Sequence, residues 1–389
     1  MTSPTSTRPT WAEISRSALL GNYSILRGQA ARVDADVVAV IKANAYGHGA
    51  AEALAALAAD GCHWFAVTSL DEARVLASQL ADHRMLVLSG LFIGEAAEVV
   101  RTGFTPVLGS LQQLAWLSAT TPQSRDKKPM LLHLEIDTGM SRQGIPWDDS
   151  HALAAFAARL AEHPQLRLEG VMTHFASPED PHSPQTGQQL NRFRAALATL
   201  QQHGCVPPLI HAGNSASLFE ADQLAALCNI AQRSGSRLLL RPGIALYGYG
   251  SHPTERGLQP VLSWKTRIAA LRTIAEGEAV SYNATFRAAR LTRIALLPVG
   301  YADGYNRLLS NRGEVLVRGR RATIAGRVTM DQTMVDVTDI ADAANGDEVV
   351  LLGRQGNDGI TADDLAVRTG TIAYEVLCAV GSRVPRMWV

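Results

Sequence analysis

Between residues 14 and 250 the apolar positions follow two alternating rhythms. One is short and nearly continuous: "VVAVIK" (37–42), "HWFAVT" (63–68), "MLVL" (85–88), "TPVL" (105–108), "MLLHLEI" (130–136), "LEGVMTH" (168–174), "PLIH" (208–211) and "RLLLR" (237–241). Runs of this kind, without a regular polar face, predict strands buried on both sides in a parallel sheet. The other rhythm is longer and helical in period, as in "GAAEALAALAAD", "SLQQLAWLSAT" and "SHALAAFAARLAEH". Most of these stretches open on Gly, Ser or Asp, where a helix cap belongs. Eight strands alternating with helices predict an α/β fold, a (β/α)8 TIM-like barrel over 11–250, rather than an open doubly wound sheet.

After "ALYGYG" (245–250) the helical period is lost, and β-rich runs separated by Gly or Asn turns take over, among them "RIALLPVG", "GEVLVRG", "TMVDVTD" and "DEVVLLG". Residues 251–389 therefore predict a second, mainly β domain. Near its end Thr361 stands as an N-cap before "ADDLAVRTG", and "TIAYEVLCAVG" predicts another short helix. The first ten residues, "MTSPTSTRPT", predict a disordered tail.

Composition narrows the partners. The 36 basic and 36 acidic residues cancel to a formal net charge of zero, so nothing electrostatic favours nucleic acid or an anionic membrane. No window reaches the ~18–20 apolar residues of a membrane span. The N-terminus lacks the basic start and apolar core of a secretory signal, and a cytoplasmic protein is expected. Cys62, Cys205, Cys228 and Cys378 are scattered without disulfide or zinc spacing and predict reduced thiols. His48, His133 and His211 also stand at no recognisable metal spacing, so no metal is expected.

In a barrel, chemistry collects where strands end. Those positions carry Lys42, the segment from Asp137 to Arg142, His174, then Asn214 with Ser215, and Arg241 with Gly243. "HAGNSAS" and "RPGIALYG" supply hydroxyls and backbone amides from the last two strand ends, where barrels commonly hold a phosphate. A lysine amine on the same rim completes what pyridoxal phosphate needs: an amine to condense with its aldehyde, donors for its phosphate and a partner for its ring nitrogen. Arg241 is a candidate for that partner. A guanidinium has donors only and stays charged, so it would leave the ring nitrogen unprotonated.

These stretches, with "HLEIDTGMSRQGI", "EGVMTHFA", "AVSYNATF", "LLPVGYADGYNR", "AGRVTMDQTMVDV" and "TIAYEVLCAVGSRVPR", occur in an order and spacing that resembles the alanine racemases over almost the whole chain. The resemblance implies a pyridoxal phosphate enzyme that interconverts L- and D-alanine, supplies D-alanine for peptidoglycan and works as a homodimer with shared active sites. It makes Lys42 the lysine that condenses with the cofactor. It assigns Tyr46, Ser215, Gly243, Ile244 and Tyr374 to the phosphate, Arg241 to the ring nitrogen, and His174 and Asn214 to the cofactor's surroundings. Racemisation needs a second acid–base group facing Lys42, and the resemblance implies Tyr282, contributed by the partner subunit. A phenol near its ordinary ~10 needs positive neighbours to work near neutrality, and His174 and Arg241 are the matching candidates. Arg142 and the Met330 amide would bind the substrate carboxylate. Tyr301, Arg307, Arg327 and Ile372 match the access corridor, and Asp331 stands beside it.

The chain also departs from the family pattern. Glu135 stands where the family often has a carbamylated lysine, and a permanent carboxylate there is expected to hold Arg142 by a charge-assisted hydrogen bond. Asn283 replaces a glycine and, of non-glycine residues, tolerates positive φ well. Thr329 and Phe286 also replace residues frequent in the family. These changes leave open a broader amino-acid racemase. A non-catalytic pyridoxal phosphate carrier is a third reading, disfavoured by the second domain, and a barrel decarboxylase would use a catalytic cysteine and acidic residue from that domain, for which no matching motif stands there.

Overall fold

The computed structural model describes residues 7–80, 82–123, 128–180 and 182–389. They divide into two compact units: one formed by Leu20–Ala45 and Ala50–Leu258, the other by residues up to Leu19, Tyr46–Gly49 and Gln259–Val389.

The first unit is the barrel. Its strands are β1 (Ala35–Val40), β2 (Trp64–Val67), β3 (Arg84–Val87), β4 (Thr105–Leu108), β5 (Met130–Asp137), β6 (Leu166–Met172), β7 (Leu209–His211) and β8 (Arg237–Leu240). Each pairs in parallel with the next, and β8 pairs with β1, so the sheet closes. All eight coincide with the continuous apolar runs. Closure buries both faces, which is why these strands read as runs rather than alternations. Helices follow the strands at Ala50–Ala59, Leu70–Leu76, Ala96–Thr102, Leu111–Thr120, Ser150–Glu162, Gln185–Gln202 and Ala221–Ser234. Ser69 caps the second of these in a reciprocal box with Glu72, and Ser110 and Asp149 cap the fourth and fifth. A further helix, Arg16–Ala31, precedes β1.

The second unit is mainly β. One of its sheets runs Arg320–Thr323, Glu314–Val317, Glu348–Gln355, Leu262–Arg267, Thr10–Ile14 and Arg386–Trp388 in spatial order. A smaller sheet joins Ala270–Ile274, Thr292–Leu297 and Thr333–Asp336. Thr361 caps Ala362–Thr369 in a box with Asp364, as the sequence predicts.

The N-terminal segment differs from expectation. Residues 1–6 of the predicted tail lie outside the described residues, but Thr10–Ile14 is a strand of the β unit, antiparallel to Leu262–Arg267 and parallel to Arg386–Trp388. Its alternation explains the placement: Thr10, Ala12 and Ile14 are buried, while Trp11 and Glu13 are half-exposed. Arg8 adds a two-pronged ion pair to the fully buried Asp303 carboxylate, at 2.5 and 3.0 Å. The start of the chain thus belongs to the second unit, not to the barrel.

Candidate active site

Lys42 stands two residues beyond β1, half-buried. Its base is pinned on three sides: the Val40 amide donates to the Pro242 carbonyl (3.0 Å), the Ile41 amide to Ala66 (2.9 Å), and the Tyr247 hydroxyl to the Val40 carbonyl (3.1 Å). After Lys42 the chain enters a left-handed turn. Ala43, Asn44, Ala45 and Tyr46 have φ of 51°, 53°, 54° and 53°. At ~1–2 kcal/mol for each non-glycine residue, this conformation needs external support. Glu72 provides it from the start of its helix, accepting from the Ala43 amide at 2.6 Å and the Thr68 amide at 2.7 Å, while Asn44 Oδ1 takes the Ala50 amide at 2.8 Å.

Arg241 follows β8 directly and is buried. Its Nη1 donates to His211 Nδ1 (3.1 Å), and its Nη2 to the Thr173 carbonyl (2.9 Å) and His174 Nδ1 (3.3 Å). Among the described residues three of its five N–H groups are so engaged, and the Nε proton and one Nη1 proton are left to meet a ligand acceptor. Burial lowers the guanidinium to about 10, which still leaves it cationic at neutral pH. His174 is pushed down to about 3 by burial and by the nearby charges of Arg241, Arg142 and Lys42. It is therefore a neutral imidazole and not the positive neighbour expected for a phenol.

Ser215 Oγ accepts from the amides of Gly243 (3.0 Å) and Ala245 (3.2 Å), which draws the ends of β7 and β8 into one polar cradle with the Ile244 amide between them. Asn214 does a different job: its Oδ1 caps the amides of Ala216 and Ser217, shaping the loop that carries Ser215.

After β5, Asp137 Oδ1 collects the amides of Gly139, Met140 and Ser141 at 2.9–3.0 Å and so folds the loop that presents Arg142, whose side chain is exposed. Glu135 is buried, but it does not hold Arg142. Its carboxylate bonds the Gln143 side-chain amide, which also donates to the Leu88 carbonyl (2.9 Å), and among the described residues no hydrogen bond joins Glu135 to Arg142. Burial raises the Glu135 carboxyl to about 7 against the lowering effects of Gln143, Arg241 and Arg142.

In the β unit the rings of Tyr46 and Tyr374 lie 6.1 Å apart, inclined at 52°. Tyr282 sits on a turn between the two-residue strands Ala279–Val280 and Phe286–Arg287. That turn is left-handed at Ser281, Asn283 and Ala284, with φ of 67°, 64° and 47°, so the asparagine meets the backbone demand the sequence anticipates. Ser281 Oγ ties it to the Arg327 carbonyl at 2.9 Å. Tyr282, Tyr301, Arg307, Arg327, Met330 and Asp331 line one open cleft of about 730 Å3. Thr329 and Met330 carbonyls accept from Tyr301 and Ala302 (3.0 Å each), fixing the loop so that the Met330 amide faces away from those bonds. Asp331 pairs with Arg383 at 2.7 Å. Ile372 is exposed and N-caps the short helix of Tyr374.

The sequence reading did not single out Glu72, Gln143, Glu169 or Arg84 as functional, and it read His133 and His211 only as unpaired metal candidates. Gln143 and Glu72 support Glu135 and the Lys42 turn. The others form a line inside the barrel: His211 Nε2 is 2.7 Å from His133 Nδ1, and His133 Nε2 is 3.1 Å from Glu169. The available signal was a histidine inside each of two otherwise apolar strands, "MLLHLEI" and "PLIH".

A closed parallel barrel joined to a β domain, with a lysine, a donor-only arginine and an amide cradle at its strand ends, defines a barrel enzyme built to hold an anionic, aromatic cofactor against an amine. The matches to known proteins agree. Residues 14–251 match the family model described as "Alanine racemase, N-terminal domain" and 261–388 that of "Alanine racemase, C-terminal domain". The alanine racemase of Symbiobacterium thermophilum is 39% identical over 388 residues, covering 98% of this chain and 97% of that protein. Among solved structures, the alanine racemase of Streptomyces coelicolor A3(2) superposes with a TM-score of 0.88 at 33% identity over 98% of both chains. That of Bartonella henselae, described with covalently bound pyridoxal phosphate, does so with 0.85 at 30% identity over 98% of this chain and 99% of that one. The chain belongs to the alanine racemase family.

Proposed function

We propose that this protein is a pyridoxal phosphate-dependent alanine racemase that interconverts L- and D-alanine with Lys42 and Tyr282 as its two bases. The observation that carries the proposal is the pairing, within the barrel, of a pinned strand-end lysine with Arg241, whose remaining donors suit an aromatic ring nitrogen. Ser215 with the amides of Gly243 and Ile244 fits a phosphate, and Tyr46 and Tyr374 are assigned to the same group by the family resemblance. When bound, pyridoxal phosphate supplies an aldehyde for the substrate amine and an electron-withdrawing ring that acidifies Cα–H.

The chain's own groups do the rest. Arg241 would donate to the ring nitrogen without surrendering its proton, which would temper the electron withdrawal the bound group supplies and favour return of a proton to Cα. Lys42 Nζ takes or returns the proton on one face of Cα, and Tyr282 Oη does so on the other. Arg142 and the Met330 amide orient the substrate carboxylate. His174, neutral, donates through Nε2 rather than acting as a charge, so Arg241 and Arg142 are the cations left to favour a phenolate.

Tyr282 is 70% exposed in the single chain, an unsuitable setting for a proton-transfer group, and this exposure supports a homodimer in which a partner subunit covers it and shares the site. A role in the cytoplasm, supplying D-alanine for peptidoglycan, is the corresponding physiology. No helix among the described residues is long and apolar enough to cross a membrane. Purified protein loaded with pyridoxal phosphate should abolish the optical activity of L- or D-alanine and leave a panel of other single-enantiomer amino acids largely unchanged. Turnover of several amino acids would instead indicate a broad racemase, and no turnover of any would contradict the proposal.

A further inference from the structure

The line behind Arg241 has only one consistent set of protons. Arginine is purely a donor, so His211 Nδ1, 3.1 Å from Arg241 Nη1, accepts. His211 then carries its proton on Nε2 and donates it to His133 Nδ1 at 2.7 Å. His133 in turn is protonated on Nε2 and donates to Glu169 Oε2 at 3.1 Å. Glu169 is clasped by both Nη atoms of Arg84, at 2.6 and 2.9 Å. Both imidazoles are fully buried, and burial drives each below its ordinary pKa, so both are neutral. Burial pushes the Glu169 carboxyl up, but the bonds from His133 and Arg84 outweigh it and keep it ionised. The barrel makes room for the line: a Cβ at Gly170 would lie 2.5 Å from two atoms of the His133 ring.

We propose that Glu169 is a positioning residue for Arg241, fixing its guanidinium through the Nε2–H tautomers of His133 and His211. Every N–H in the line points away from Arg241, so every lone pair points toward it, and a carboxylate beyond direct reach selects the acceptor that Arg241 meets. The functional half of this inference rests on the reading that Arg241 faces the cofactor ring. The tautomer half does not.

The test uses the full chain labelled with 15N-histidine, without and with pyridoxal phosphate, and resolves protonated from unprotonated ring nitrogens by NMR. His133 and His211, identified by single substitution, should each show one N–H, on Nε2, near neutral pH. In Glu169→Gln, whose amide can donate as well as accept, His133 should populate both tautomers. The loaded variant should lose about tenfold in kcat with KM for alanine within about twofold, the scale of a lost outer-shell partner. Arg84→Met gives a second handle should Glu169→Gln fail to fold. His133 faces Glu169, His211, Arg84 and the charge of Arg241, and removing Arg84 should let it gain a second proton at higher pH than in the wild type. Doubly protonated or Nδ1–H histidines in the wild type would overturn the proposal. So would a Glu169→Gln protein with unchanged tautomers, whether its kinetics are unchanged or altered. If the wild type fails to racemise any amino acid, the racemase reading falls while the histidine signals still decide the line.

Discussion

At the scale of single residues, the site is assembled from groups whose alternatives are closed off. Ser215 is the clearest case. Its hydroxyl accepts from two amides at once, Gly243 and Ala245, and its own proton is then free to donate to a ligand oxygen. Ser215→Ala removes an acceptor from two nearly buried donors and a donor from the phosphate. The variant should retain pyridoxal phosphate about tenfold less well, corresponding to roughly 1.4 kcal/mol and one net hydrogen bond. Cofactor absorbance after dialysis measures this, and retention equal to wild type would remove Ser215 from the cradle. Glu135 illustrates the opposite situation, in which a residue type suggests a partner that geometry denies it. A carboxylate beside an arginine-bearing loop invites an ion pair, but Gln143, eight residues along, reaches it first.

At the scale of elements, strands and helix caps were legible in the sequence, and the strained turns and long-range pairs were not. Each barrel strand is an apolar run bounded by polar or glycine-rich sequence, so local composition suffices to find it. Thr361 and its helix were found by cap chemistry alone. The strand Thr10–Ile14 escaped because its five residues alternate and find their partners at 262–267 and 386–388, far along the chain. The left-handed turn at 43–46 was hidden because Asn44 alone favours that conformation, and Ala43, Ala45 and Tyr46 carry no signal for it. What makes it tolerable is Glu72, 29 residues beyond Ala43. The line from Arg241 to Glu169 was hidden for a similar reason: His133 and His211 are 78 residues apart, on the alternate strands β5 and β7, and only the barrel interior brings their side chains together. Motif resemblance named the residues proposed to meet the cofactor, whereas the residues that hold those in place came only from the fold.

At the scale of the whole molecule, the buried histidines couple stability to pH. The folded-state pKa values of His133, His174 and His211 lie below the unfolded 6.5, so their contribution is present above that pH and is lost as pH falls. Glu135 works the other way: raised from 4.5 to about 7, its contribution is present at low pH and is lost as pH rises through 7. As pH falls below 6.5 the unfolded chain takes up protons on these histidines that the folded chain resists, while Glu135 opposes them by holding in the folded chain a proton that the unfolded chain lacks above about 4.5. The cofactor-free protein should therefore lose stability as pH falls from 6.5, by about 1.4 kcal/mol per pH unit for each net proton, the histidines together outweighing Glu135. Denaturant melts at a series of pH values measure it, and a flat profile would mean the histidines are not buried neutral. The two-base chemistry can be read with equal directness from α-proton exchange in D2O, followed by NMR separately from L-alanine and from D-alanine, for wild type and for Tyr282→Phe, both loaded with pyridoxal phosphate. Wild type should exchange both enantiomers and racemise them. Tyr282→Phe should still wash out the α-proton of one enantiomer through Lys42 while leaving the other largely protonated and hardly racemised. Equal exchange from both enantiomers in that variant would contradict two bases on opposite faces.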